Sequence, residues 1–161
     1  FVFACKPANS LEIAFNYPDV TTDRVLVDAM TDRMVVRPSS LDVIVASNLH
    51  ADILSDLAAA LSGGVGLAPT ANIRPERDHP SMFEPIHGSA FDLVGKETAN
   101  PIGAFCTASM MLAHLGEDHA STQLMNAIEA VTSRGQVLPV DLGGEATTRE
   151  VTDAVIAAIE N

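Results

Sequence analysis

The chain has 161 residues, 47% of them apolar, with 9 basic against 21 acidic side chains and a formal net charge of −12. That length suits about one domain with a sizeable core, and that apolar fraction excludes a disordered chain. A surface so acidic repels phosphate backbones and anionic lipids, so neither nucleic acid nor a membrane is an expected partner. No apolar run approaches the ~18 residues of a transmembrane helix. The opening FVFACKPANS lacks the basic and apolar regions of a secretory signal. Cys5 and Cys106 form no disulfide framework, so a cytoplasmic location is expected.

Residues 1–16 carry no clear pattern, and Tyr17-Pro18-Asp19 reads as a turn. Arg24-Val25-Leu26-Val27 reads as a short strand ending at Asp28. Leu41 to Ser47 is a Val- and Ile-rich run suited to a strand buried on both faces. Ser47 and Asn48 offer caps for a helix over 51–61, with Ile53, Leu54, Leu57 and Leu61 on one face. Gly63-Gly64-Val65-Gly66 ends that helix, and Pro69, Pro75, Pro80 and Pro85 keep 67–101 mostly irregular. Helices follow over Ala104–Leu115, Ala120–Ser133 and Thr148–Ile159. Thr147 or Thr148 caps the last, and its stripe is Val151, Ala154, Val155, Ala158 and Ile159. This mixture of buried-type strands and amphipathic helices gives an α/β fold class.

Three constellations carry candidate chemistry. Asp52 and Asp56, at i and i+4, point the same way and can grip one hard divalent cation; a solvated helix face has the same spacing. Asp28 is a candidate third ligand. The loop Glu84-Pro85-Ile86-His87-Gly88-Ser89-Ala90 exposes backbone N–H groups suited to an anion or a ribose, with Asp92 placed to accept from a ribose hydroxyl; a histidine capping a turn is the structural alternative. Gly63-Gly64-Val65-Gly66 follows no strand and opens no helix, so it fails the context of a Rossmann phosphate loop.

Read in order, these segments resemble one family. Asn48-Leu49-His50-Ala51-Asp52-Ile53-Leu54-Ser55-Asp56 resembles the NLxGDIxSD segment of the metal-dependent β-decarboxylating dehydrogenases, which act on isocitrate, 3-isopropylmalate, D-malate and tartrate. Residues 64–73, then Phe83 to Ala90 with Asp92, Gly95, Lys96 and Ala99-Asn100-Pro101, then Asp141-Leu142-Gly143-Gly144, resemble the family's later blocks. The stretches 71–84 and 141–146 look most like the tartrate/D-malate branch. The family's subunit is longer, and the resemblance places this chain in its carboxy-terminal half. The implied fold is a partial isocitrate/isopropylmalate dehydrogenase-like fold. Residues 1–62 would belong to the dimerisation and metal-binding domain, and 63–161 to the cofactor-binding domain.

The resemblance also implies roles. Asp52 and Asp56 would hold Mg²⁺ or Mn²⁺, with Asp28 lent across a homodimer that shares its active site. Lys6 would move the hydroxyl proton, although the usual Lys-x-Asn reads here as Lys6-Pro7-Ala8-Asn9. Glu84, His87, Gly88, Ser89, Ala90, Asp92, Asn100 and Asp141 would hold the dinucleotide, and an acid at Asp92 favours NAD over its 2′-phosphorylated form. The implied reaction oxidises a small 2-hydroxy diacid of the D-malate/tartrate type with β-decarboxylation. Two other readings stand beside it: a 3-isopropylmalate dehydrogenase-type enzyme, and a truncated, non-catalytic chain that binds nucleotide or a partner. The family's substrate-clamping arginines find no counterpart in the 161 residues, so the chain alone is expected to be inactive.

Overall fold

Three short strands run parallel at the start of the chain. A computed structural model describes residues 2–4 and 10–160. The chain divides into two compact units, Phe1–Ser62 and Gly63–Asn161. In the first, β1 (Val2–Ala4), β2 (Asp23–Val25) and β3 (Ile44–Ala46) form a sheet in the order β2-β1-β3. Phe3 pairs in register with Arg24 on one side and Val45 on the other. Parallel neighbours cannot be joined by a tight turn, so helices make the connections. The short α1 (Ser10–Ala14) lies between β1 and β2, and α2 (Val27–Val36) carries the chain from β2 to β3. After β3 comes α3 (Asn48–Leu61).

Met30 and Met34, one turn apart on α2, meet Leu54 of α3 to form this unit's buried centre, with Val25, Ile44 and Leu57 packed around it. Helix α2 corrects the sequence reading. Residues 24–27 are not one strand ending at Asp28: the strand stops at Val25, and Asp28 lies in the first turn of a helix. The Leu26 N-cap has no side chain able to cap, so the usual start signal is missing. Helix α3 starts earlier than expected. Its N-cap Ser47 gives its hydroxyl to a contact with His50 Nδ1 at 3.0 Å rather than to a backbone amide.

The second unit opens with an antiparallel pair, β4 (Pro69–Asn72) and β5 (Met82–Pro85), with Ala71 opposite Phe83. The stretch 67–101 is mostly irregular, as expected, but it holds this hairpin and the short helical turn Phe91–Leu93. Arg74 steadies its connecting loop through Asp78, with Nε–Oδ1 at 2.7 Å. Three helices follow: α4 (Ile102–Leu115), α5 (Asp118–Arg134) and α6 (Thr148–Ile159). Ile102, Ala127, Ile128, Val131, Val151 and Val155 form their shared core. Cys106 packs against that core as a free thiol, and burial pushes its pKa up, so it stays protonated. No described helix is long and apolar enough to cross a membrane.

Helix α6 begins with a full capping box. Thr147 Oγ1 accepts from the Glu150 amide, and the Glu150 carboxylate accepts from the Thr147 amide at 2.8 Å. That backbone N–H, then the Thr147 hydroxyl, hold the Glu150 carboxyl below its ordinary 4.5. A folded value below the unfolded one means that the stabilisation is complete above about pH 4.5 and fades as pH falls through the lowered value.

Two stability outcomes are expected. Ile102→Ala, at a side chain 1% exposed, should cost about 2–5 kcal/mol in denaturant unfolding, whereas Ile156→Ala, 48% exposed, should cost far less. Thr147→Ala should cost about 1 kcal/mol. In thermal melts taken from about pH 5 to about pH 3, Glu150→Gln should lose less stability than the wild type.

Candidate functional site

Asp52 and Asp56 lie one turn apart on α3, and both are exposed. No Lys or Arg occurs anywhere on that helix, and neither carboxylate pairs with another described residue. Two unneutralised carboxylates side by side repel each other and suit a hard divalent ion, which takes one or two carboxylates and keeps positions for water and substrate oxygens. The donor chemistry therefore fits Mg²⁺ or Mn²⁺. Asp28 accepts from the Ala29 amide at 2.8 Å through Oδ1 and stays exposed. Among the described residues, no three metal-capable side chains of one chain gather. Lys6 lies outside the described residues.

In the second unit, a cavity of about 590 Å³ is lined by His87, Gly88, Ser89 and Ala90 and, on another side, by Thr148 and Arg149. The loop is held at its start by the Ile86 amide, which donates to Ala68 O at 3.0 Å. His87 Nδ1 lies 3.0 Å from Gly88 O, a bond that only the Nδ1-protonated ring can make. The amides of His87, Gly88, Ser89 and Ala90 form no bond to another described backbone group, which leaves them available to a ligand. Ala90 takes the left-handed conformation, φ 42° and ψ 54°. For a residue with a Cβ that costs roughly 1–2 kcal/mol, and such strain gathers at binding sites. It turns the chain into the short helical turn Phe91–Leu93, which exposes Asp92.

The remaining candidates take other places. Glu84 lies on β5 opposite Thr70. Glu84, Asp92, Asn100 and Asp141 are not among the residues lining the cavity. Asn100 and Asp141 meet each other: Asn100 Nδ2 donates to Asp141 Oδ2 at 3.0 Å, while Asn100 Oδ1 accepts from the Ile102 amide at 2.9 Å. The loop's far end is thereby fixed to the start of α4 and to the turn at 140–142. Thr148, Arg149 and Glu97 line the cavity but escaped the sequence reading. Their one available signal was the position of Thr148 and Arg149 in the first turn of a capped helix.

Gly66 sits against this pair. A Cβ there would lie 2.4 Å from Asp141 Oδ2 and 3.0 Å from Asn100 Nδ2. Gly66→Ala should therefore break the Asn100–Asp141 bond. If the loop holds the dinucleotide that the sequence resemblance implies, affinity for it should fall at least about tenfold as the loop end loosens, while the α-helical circular dichroism signal stays intact. Unchanged affinity for NADH in fluorescence titration would detach this junction from binding.

Comparison with known proteins places both regions in one lineage. Residues 6–155 match the family model of isocitrate/isopropylmalate dehydrogenase. A protein of Agrobacterium vitis named a probable tartrate dehydrogenase/decarboxylase is 64% identical over 148 residues, covering 92% of this chain and 41% of that protein. An isocitrate/homoisocitrate dehydrogenase of Thermus thermophilus is 47% identical over 150 residues, covering 93% of this chain and 44% of that protein. The crystal structure of isocitrate dehydrogenase from Methylococcus capsulatus superposes with a TM-score of 0.91 at 36% identity, covering 99% of this chain and 50% of that one. The chain thus spans between two-fifths and half of the length of these three relatives. With the family model covering nearly all of its length, the chain belongs to the isocitrate/isopropylmalate dehydrogenase family.

Proposed function

We propose that the chain supplies the metal and dinucleotide sites of an enzyme that oxidises a 2-hydroxy diacid of the tartrate/D-malate type with NAD⁺, releasing the β-carboxylate as CO₂. The observation that carries this reading is the pair Asp52 and Asp56, exposed one turn apart on a helix without a cation. The tartrate/D-malate choice rests on the Agrobacterium vitis relative. The Thermus thermophilus relative favours an isocitrate-type substrate as the second reading.

Each part has a task. Asp52 and Asp56 hold the ion, and Asp28 of a second copy of the chain completes its carboxylate set. When bound, the ion stabilises negative charge on the substrate oxygen and the nicotinamide accepts the hydride. Lys6 takes the hydroxyl proton. Residues 87–90 fix the dinucleotide through backbone amides, and Asp92 accepts from the free 2′-hydroxyl of an NAD ribose while repelling a 2′-phosphate. A two-fold dimer, the commonest symmetry, is the assembly this site requires. Leu49, Ile53 and Leu61 of α3, 67%, 52% and 50% exposed, offer apolar surface for it.

Metal binding tests the reading directly. Asp52→Asn and Asp56→Asn should each weaken Mn²⁺ binding by more than about tenfold, because each removes a hard anionic ligand. Asp28→Asn should do the same although it lies on a different helix. Mixing Asp28→Asn chains with Asp56→Asn chains should restore part of the sites by pairing an intact Asp28 with an intact Asp52 and Asp56. Unchanged affinity in both α3 variants contradicts the metal site. A clean 16.9 kDa monomer in sedimentation at micromolar concentration contradicts the shared one. Turnover of the longer enzyme with tartrate, D-malate, isocitrate and 3-isopropylmalate separates the two substrate readings.

A further inference from the structure

The cavity beside the His87–Ala90 loop is walled on another side by the first two turns of α6, through Thr148, Arg149, Thr152 and Asp153. That wall is fixed to the loop. The Thr148 amide donates to Glu97 O at 2.8 Å and its hydroxyl to Ala99 O at 2.5 Å. The Thr147–Glu150 box holds the same turn from the helix side. The backbone of Arg149 is therefore set, while its side chain is exposed and makes no ion pair with a described residue. Asp153 stands at i+4, yet the two do not pair. Two other cations of this unit are engaged, Arg74 by Asp78 and Arg77 by the carbonyl of His114, and Lys96 and Arg134 do not line the cavity.

Arg149 is the one Lys or Arg among the residues lining the cavity, which also include the acids Glu97 and Asp153. A dinucleotide brings two further negative charges on its pyrophosphate into a chain of net charge −12. Unpaired backbone amides give partial positive charge only, and a planar guanidinium matches two phosphate oxygens at once. We infer that Arg149 contacts the pyrophosphate of the bound dinucleotide and sets the protein's affinity for it. This inference rests on the dinucleotide reading of the loop.

The test is calorimetric titration of the full chain and of Arg149→Ala, Arg149→Gln and Arg149→Lys with NADH, ADP and adenosine. Loss of a charge-assisted bond should weaken NADH and ADP about tenfold or more in the Ala and Gln variants. Adenosine, which has no phosphate, should bind all four proteins equally. The Lys variant should keep most of the affinity, and the Ala variant should show a flatter salt dependence. NADH affinity of Arg149→Ala within twofold of the wild type overturns the inference and leaves the dinucleotide reading standing. An equal loss for adenosine also overturns it, because the arginine would then act on the fold. Failure of the wild-type chain to bind NADH or ADP overturns both.

Discussion

Two glycine backbones meet where the second unit is knotted together. The Gly103 amide donates to Gly66 O at 2.8 Å, and a Cβ on Gly103 would sit 2.8 Å from the same oxygen. Any side chain at position 103 would prevent so close an approach. Around this contact, Asn100 caps the first turn of α4 and also binds Asp141. Three segments far apart in sequence, at 64–66, 100–103 and 139–142, are thereby fixed as one junction. The loop from His87 to Ala99 runs from β5 to that junction. Its geometry follows from two anchored ends and from the Thr148 bonds along its return path. A strained Ala90 can persist only where its surroundings over-determine it.

Charge bears differently on the roles proposed for the two units. A chain of net charge −12 favours cations and resists anions. In the first unit that bias is useful, because Asp52 and Asp56 meet no competing Lys or Arg on their own helix. In the second it would be an obstacle to the proposed dinucleotide, and local devices would have to overcome it. The unpaired amides at 87–90 and the unengaged Arg149 are the devices proposed here. Both act at short range, where the distant negative charge is screened within about 8–10 Å at moderate salt.

What the sequence made legible follows from where each signal is stored. Helix α6 was readable to its end residues because Thr147, Glu150 and the Val151–Val155 stripe all lie within one segment. Helix α2 was not: Leu26 provides no cap, and the β-branched Val25 and Val27 continue a strand-like run into it. Its buried stripe is two methionines, too few to outweigh that run. The β4–β5 hairpin was hidden by Pro69 and Pro85 at its ends and by a connection from 73 to 81 longer than a tight turn. Its strands pack on α4, where Phe83 and the His114 ring lie 5.4 Å apart, a contact across thirty-one positions of chain. The family resemblance drew attention to both Asn100 and Asp141, but their mutual bond spans 41 positions and belongs to tertiary structure. The place of Arg149 at the cavity was not legible, because an arginine in a first helical turn carries no local mark of what it lines.

The dinucleotide platform can be tested at the level of individual amides. Backbone N–H groups without a protein partner exchange quickly with solvent and slow when a ligand bonds them. Hydrogen exchange of the chain, read by NMR with and without saturating NADH, therefore measures the central claim. Binding through the loop amides should give new protection at Gly88, Ser89 and Ala90, with smaller changes at Thr148 and Arg149, which line the same cavity. Binding of NADH that leaves those loop amides exchanging as before, with protection appearing elsewhere, would contradict it.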